Sequence, residues 1–231
     1  MSELTYANYI RVSELLHLQE PRSRTEAPLT RVCEHFFIVT HQASELWLSQ
    51  VLLDLDEAGL ALIEGRYLDA EECLERSAVV LDVLAANLEV LATMRPGRFA
   101  RFRGNLGRAS GAQSIQFAQL DRRLGLGRNG DGPLFEALVS ACERQGVTLA
   151  GLLRPGTPDH PELARVVLSM LDVSRKTWKW KVMHLELAAK MLGHSKAGTG
   201  GTSGTRYLAG RLAMPFEKLW EAVSAIHHNA T

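Results

Sequence analysis

The residues able to do chemistry are concentrated in a few stretches. His184 lies in an aromatic-rich segment, WKWKVMHLELAAKML, where Trp180, Met183, Leu187 and Met191 recur at three- or four-residue intervals, the spacing of one helix face. Four residues after Trp180 and next to Met183, His184 is expected to point inward. Such an imidazole is either a hydrogen-bonded core residue or a metal ligand, and its own surroundings leave both open. Residues 198–204, GTGGTSG, follow closely and offer backbone N–H groups and hydroxyls with little bulk, a composition suited to closing over a small polar ligand. His41 sits on a second helical face, with Phe37, Glu45 and Leu48 stacked at one-turn intervals. Arg98, Arg101, Arg103 and Arg108 crowd one short stretch, which reads either as a solvated basic loop or as an anion site, because the guanidinium fork matches a carboxylate.

The elements that must position these groups read as helices throughout, and the fold class is all-α. Residues 6–18 form a short amphipathic helix with Tyr6 and Tyr9 at its start. Residues 29–64 hold one glycine and no proline, too apolar for a surface helix, and Gly65 ends them. Residues 67–94 form a second long helix, and the short turn between the two implies an antiparallel hairpin. Arg95-Pro96-Gly97 interrupts the pattern, residues 125–133 read as a loop and 134–144 as a short helix. Pro161 opens the helix that carries His184, and a last helical segment, residues 207–228, is interrupted at Pro215. Trp47, Trp178 and Trp220 are expected in the core.

Bulk properties exclude several functions. Lys plus Arg equals Asp plus Glu at 26 each, so there is no basic field for nucleic acid. Cys33, Cys73 and Cys142 are far apart and form no C-x-x-C pair, which argues against a disulfide framework or structural zinc and fits the cytoplasm. The first residues carry charges inside their apolar pattern, unlike a signal peptide. No stretch approaches the ~18 apolar residues of a membrane span.

Several motifs coincide in order: Phe37-x-x-x-His41-Gln42-x-x-Glu45-Leu46-Trp47, then Phe99-x-x-Phe102-Arg103 with Ala109-Ser110-Gly111-x-Gln113-Ser114, and finally Trp180-x-x-x-His184 with the glycine-rich loop. With the opening LTYANYIRVSELLHLQEP, they make the chain resemble the tryptophan 2,3-dioxygenase family of haem enzymes over most of its length. The resemblance implies one helical-bundle domain over residues 1–231, with long antiparallel helices around a b-type haem. It implies His184 as the axial ligand to the haem iron, with Trp180 and Ser110 beside the cofactor. His41 matches the histidine near the indole N–H, Phe37 and Phe99 the residues around the indole, Arg103 the partner of the amino-acid carboxylate, and Thr199 a hydroxyl on the substrate's polar end. Tyr6 and Tyr9 match tyrosines of an arm, residues 1–28, that completes a neighbouring subunit's pocket. The implied assembly is a homo-oligomer, a tetramer built as a dimer of dimers, and the implied partners are tryptophan or a substituted tryptophan and O2.

The chain is short for this family, with the shortening expected between residues 121 and 165. Ala112 stands where the family usually has an aromatic, next to Arg108, and is expected to open the pocket wall beside His41. These departures set a second reading beside ring-opening dioxygenation to an N-formylkynurenine: monooxygenation of a substituted tryptophan, such as β-methyltryptophan, to a 2-oxindole. A haem-binding sensor without turnover is a third, although it has no use for an amino-acid clamp. A haem-free metal site of His41, Glu45, His184 and Glu186 lacks the Glu-x-x-His pairs of di-iron bundles.

Overall fold

The computed structural model describes residues 4–23, 28–126, 132–154, 156, 158–193 and 203–228. Its helices are α1 (Tyr6–Tyr9), α2 (Val12–Leu15), α3 (Pro28–Glu64), α4 (Tyr67–Ala92), α5 (Pro96–Phe102), α6 (Ile115–Arg123), α7 (Gly132–Gln145), α8 (Leu149–Leu152), α9 (Pro161–Leu192), α10 (Thr205–Ala209) and α11 (Glu217–His228), with two 3₁₀ turns, Arg103–Leu106 and Gly111–Gln113, between α5 and α6. No strand occurs among the described residues, so the all-α expectation holds.

Three long helices form the frame. The buried residues of α4 include Leu74, Ala78, Leu81, Leu84, Leu88 and Leu91, and those of α9 include Leu163, Val166, Val167, Met170 and Val173. Each set repeats at three- and four-residue steps, so one stripe of each helix is apolar and must be covered. α4 is covered on one side by α3 and on another by α9. Gly65, at φ +79, and Arg66 turn the chain from α3 into α4, and Arg66 is tied to Glu57, Glu64 and Asp69 at 2.6–2.8 Å. A side chain at Gly65 would be forced into the left-handed region that glycine occupies without strain.

Cross-helix bonds fix the directions. Arg76 of α4 meets the buried Asp54 of α3, while Asn87, further along α4, reaches back to the Thr40 carbonyl and Ser44 Oγ, both at 2.8 Å. α3 and α4 are therefore antiparallel, as the short turn implies. Against α9 the order is the reverse: Glu71, Asp82 and the Ala92 carbonyl of α4 meet Arg165, Lys176 and Lys190 in the same sequence. α4 and α9 are parallel, a direction that the helical pattern alone does not give.

Other expectations change in detail. The first helix is two short ones, broken at Arg11, which sits at φ 53. Pro96 does not simply end a helix: it stands at the first position of α5, where its missing N–H costs nothing. Trp47 and Trp178 are each about two-fifths exposed rather than in the core. Trp220 packs inward, and its Nε1 donates to Ser174 Oγ at 2.9 Å. No single helix among the described residues is long and apolar enough to cross a membrane.

Ser174 is fully buried, and its hydroxyl also donates to the Pro215 carbonyl at 2.8 Å, so it pins the α10–α11 connection to α9. Ser174→Ala leaves the Trp220 N–H and the Pro215 carbonyl without this partner, and is expected to lower unfolding free energy by about 1–3 kcal/mol in chemical denaturation. An unchanged denaturation midpoint would show that the relay contributes nothing.

Candidate active site

Two adjoining cavities lie at the level where α4 holds both neighbouring long helices. The larger, about 510 Å³, is lined by Phe37, His41, Gln42 and Glu45 of α3, by Phe99 and Asn105, and by Glu20 and Arg22 of the N-terminal arm. The smaller, about 180 Å³, is lined by Trp180, Lys181 and His184 of α9, Phe117 and Asp121 of α6, and Tyr207 and Arg211. Ser110, Gly111 and Ser114 line both, so the turn between α5 and α6 forms their shared wall.

That turn is self-capped. Ser110 Oγ accepts the Ala112 N–H at 3.3 Å while Gln113 Oε1 accepts the Ser110 N–H at 3.1 Å, a reciprocal capping pair. Ser114 Oγ then accepts the Phe117 N–H and starts α6. The spacing of the Ala-Ser-Gly-Ala-Gln-Ser motif thus builds the partition. Ala112 lines the cavity beside His184, not the one beside His41, so its small side chain opens the opposite space from the one the sequence suggests.

An aromatic cluster supports the larger cavity. Phe37 lies 4.0 Å from the His41 ring, 5.7 Å from Phe99 and 5.6 Å from the fully buried Phe102, and Phe99 meets Phe102 edge-on at 5.4 Å. His41 Nδ1 lies 2.7 Å from the Phe37 carbonyl. A carbonyl only accepts, so Nδ1 carries the proton and Nε2 of the neutral ring is the acceptor. Desolvation by the surrounding walls lowers the His41 pKa, against the opposing pull of the Phe37 carbonyl and Glu45, while the ring stays open to solvent through the cavity. Glu45 is steered by Gln116 of α6, whose Nε2 donates to its carboxylate at 2.6 Å and its backbone carbonyl at 2.8 Å.

On the other side, Trp180 stacks between Phe117 at 5.1 Å and His184 at 5.8 Å. Burial pushes the His184 pKa down to about 4, and His41 across the cavities adds to the shift. Its ring is therefore neutral near pH 7. A neutral imidazole with a lone pair beside stacked aromatics is a suitable donor for the iron of a flat macrocycle.

The other sequence candidates divide. Tyr6 and Tyr9 lie on the arm, 78% and 74% exposed, and line neither cavity of this chain. Arg103 stands in the 3₁₀ turn between Phe99 and Asn105 and lines neither of these two cavities. Thr199 lies outside the described residues. Glu186 faces a separate groove with Leu88 and Lys190, and no group of three or more metal-ligating side chains occurs among the described residues, which leaves the haem-free metal reading without support.

Three lining residues have no motif of their own. Glu20 and Arg22 reach the cavity because the buried Glu34 carboxylate accepts the Arg22 N–H at 3.0 Å and the Ser23 N–H at 2.7 Å, while Asn105 donates to Ser23 Oγ at 3.0 Å. Burial pushes the Glu34 carboxyl up, and these hydrogen bonds outweigh it and hold the group below its ordinary value. Only the polar Glu34 inside an apolar stretch signals this clasp in the sequence.

The low His184 pKa has a measurable consequence in the ligand-free protein. The unfolded histidine binds protons below about pH 6.5 while the folded one does not until about pH 4, so stability falls as pH drops through that window. From pH 8 to pH 5 the loss assigned to His184 is about 2 kcal/mol. His184→Leu is expected to flatten that part of the pH–stability curve; an unchanged slope would place the titration elsewhere.

A family model described as tryptophan 2,3-dioxygenase matches residues 1–130 and 136–226. Relatives named tryptophan 2,3-dioxygenase include one from Herpetosiphon aurantiacus, 30% identical over 94% of this chain and 96% of its own length, and one from Anaeromyxobacter dehalogenans, 31% identical over 96% of each. A third, from a Nocardioides species, is 31% identical over 94% of this chain and 92% of its own. The first alignment runs over 258 positions against 231 residues here, so that relative has segments this chain lacks, and the family match breaks at 131–135, inside the region expected to be shortened.

Proposed function

Because the chain belongs to the tryptophan 2,3-dioxygenase family, and is thereby an oxidoreductase acting in the manner of a tryptophan dioxygenase, we propose that it is a haem-dependent oxygenase that inserts O2 across the indole C2–C3 bond of tryptophan to give an N-formylkynurenine. The observation that carries this reading is the pair of neutral imidazoles, His41 and His184, presented by different helices to adjoining cavities with an aromatic wall on each side. In it residues 1–231 act as one domain. His184 holds the iron of haem b, with Trp180 and Ser110 beside the macrocycle, and bound haem supplies the activation of O2.

The chain's own residues supply position and polarity. Phe37 and Phe99 form an apolar wall for an indole ring, and His41 Nε2, fixed as an acceptor by the Phe37 carbonyl, receives the indole N–H. Arg103, in the turn that follows Phe99, and Thr199 take the amino-acid carboxylate and ammonium end. The lining by Phe37 and Phe99 keeps water from the ring, and His41 orients the indole rather than removing its proton. On that basis His41→Ala lowers kcat/KM for tryptophan by about two- to tenfold, the value of one neutral hydrogen bond. A loss above about a hundredfold would make His41 a general base instead.

The product test uses reduced, haem-loaded protein with tryptophan and β-methyltryptophan under heavy-isotope O2. Ring-opened product carrying two labelled atoms is expected. One labelled atom in an intact 2-oxindole would replace this reading with monooxygenation, and no product beside an intact Soret band would leave a binding protein.

The same reading makes the protein a homo-oligomer, with Tyr6 and Tyr9 reaching a neighbour's cavity. It is supported by the exposure of both tyrosines and by Val32, Val39, Leu46, Leu53 and Leu60, which recur every seven residues on α3 and are all exposed. Light scattering is expected to return a tetramer of the 25.5 kDa chain, and Leu46→Glu with Leu53→Glu a smaller species. A monomeric wild type would remove the neighbour's arm from the site.

A further inference from the structure

The cavity beside His184 has a charged end for which the reaction above has no use. Asp121 of α6 stands between two cations: Lys181 Nζ donates to one carboxylate oxygen at 2.6 Å and Arg211 Nη2 to the other at 2.8 Å. Among the described residues Asp121 is the only ion-pair partner of either cation, so the cluster carries one positive charge in excess. The Asp121 and Lys181 side chains are only 12% and 11% exposed, and Arg211 is half-exposed. The buried Asp121–Lys181 pair is neutral by itself, so the excess charge sits on the half-exposed Arg211 at the cavity rim, where an anion can pair with it.

The geometry also says what shape that anion has. Lys181 precedes His184 by three residues and follows Trp180 directly, so ammonium, imidazole and indole line one cavity within a turn of α9. Arg211 Nη1 is steadied by the Tyr207 hydroxyl at 2.8 Å. Ser110 and Ser114 each accept a backbone N–H and keep their own O–H to donate. A flat apolar ring with acid groups on one edge satisfies all of these at once.

We propose that Lys181 and Arg211, held apart and aligned by Asp121, dock the carboxylate edge of the haem, its two propionates, while His184 takes the iron. This rests on the haem reading above. It assigns the smaller cavity to the cofactor's polar rim and leaves the substrate carboxylate to the other side of the partition.

The test titrates hemin and hemin dimethyl ester, whose carboxylates are capped, into the full-length haem-free chain. Binding is followed by the Soret band and by tryptophan fluorescence quenching, neither of which requires turnover. Wild type is expected to prefer hemin over the ester by about tenfold or more, and Arg211→Gln with Lys181→Met to remove that preference by weakening hemin alone. Should the double variant lose its helical circular dichroism, Arg211→Gln, at a half-exposed position, is expected to reduce the preference by itself. Equal affinity for hemin and ester in wild type, or an undiminished preference in the folded variants, overturns the dock and leaves haem binding through His184 standing. Failure of wild type to bind either compound rejects the haem reading, and the dock with it. A raised KM for tryptophan with hemin affinity intact gives the cations to the substrate carboxylate and likewise overturns the dock.

Discussion

The register of α4 is the constraint on which the site depends. His41 and His184 come from helices that each pack on α4, one antiparallel to it and one parallel. Asn87 fixes α3 at Thr40 and Ser44, next to His41, and the Ala92 carbonyl receives Lys190, less than two turns beyond His184. The same turns of α4 therefore set the height of both imidazoles. A slip of one turn along either contact would displace its histidine by about 5.4 Å and end their opposition. The fully buried Leu74, Leu81 and Leu84 resist that slip through close packing, and the ion pairs Asp54–Arg76 and Asp82–Lys176 add direction more than energy, since each has a solvent-exposed partner.

Neutrality is the second condition. Two imidazoles presented to adjoining cavities repel when charged, and desolvation by the cavity walls already disfavours the charged form of each. The aromatic neighbours, Phe37 on one side and Trp180 on the other, offer no compensating anion, and Glu45 is partly occupied by Gln116. The site is thus built to keep lone pairs available rather than to move protons, which suits a ligand role for one ring and a hydrogen-bond acceptor role for the other.

The long helices were legible because their signals are local. Apolar steps of three and four, Gly65 at a positive φ and Pro161 at a helix start need only neighbouring residues. Pro96 misled because proline both stops one helix and starts the next, and the chain does both within a few residues. Trp47 and Trp178 misled because size argues for burial only when a partner surface exists within the chain. His41, Phe37, Phe99, Ser110, Trp180 and His184 all line the two cavities, and their motifs lie on single elements. The Asp121–Lys181–Arg211 cluster joins residues 60 and 90 positions apart, and the arm's Glu20 and Arg22 arrive through a clasp on Glu34. No periodicity encodes such meetings; they follow from tertiary packing.

The placement of Ala112 shifts where specificity must be sought. Its lost bulk falls on the His184 side of the partition, not on the side of Phe37 and Phe99. An indole bearing a ring or β substituent would have to be accommodated among Phe37, Phe99, Glu45 and the arm residues Glu20 and Arg22. Of these, the phenylalanines are locked into an edge-to-face cluster with the buried Phe102, and Glu45 is held by Gln116. The arm is the adjustable side, tied by hydrogen bonds to Glu34 and Asn105 rather than by core packing. On the proposed reading, selectivity between tryptophan and its substituted forms would be set where the arm meets the cavity, and a change at Glu34 would act on it through backbone position, without touching the substrate.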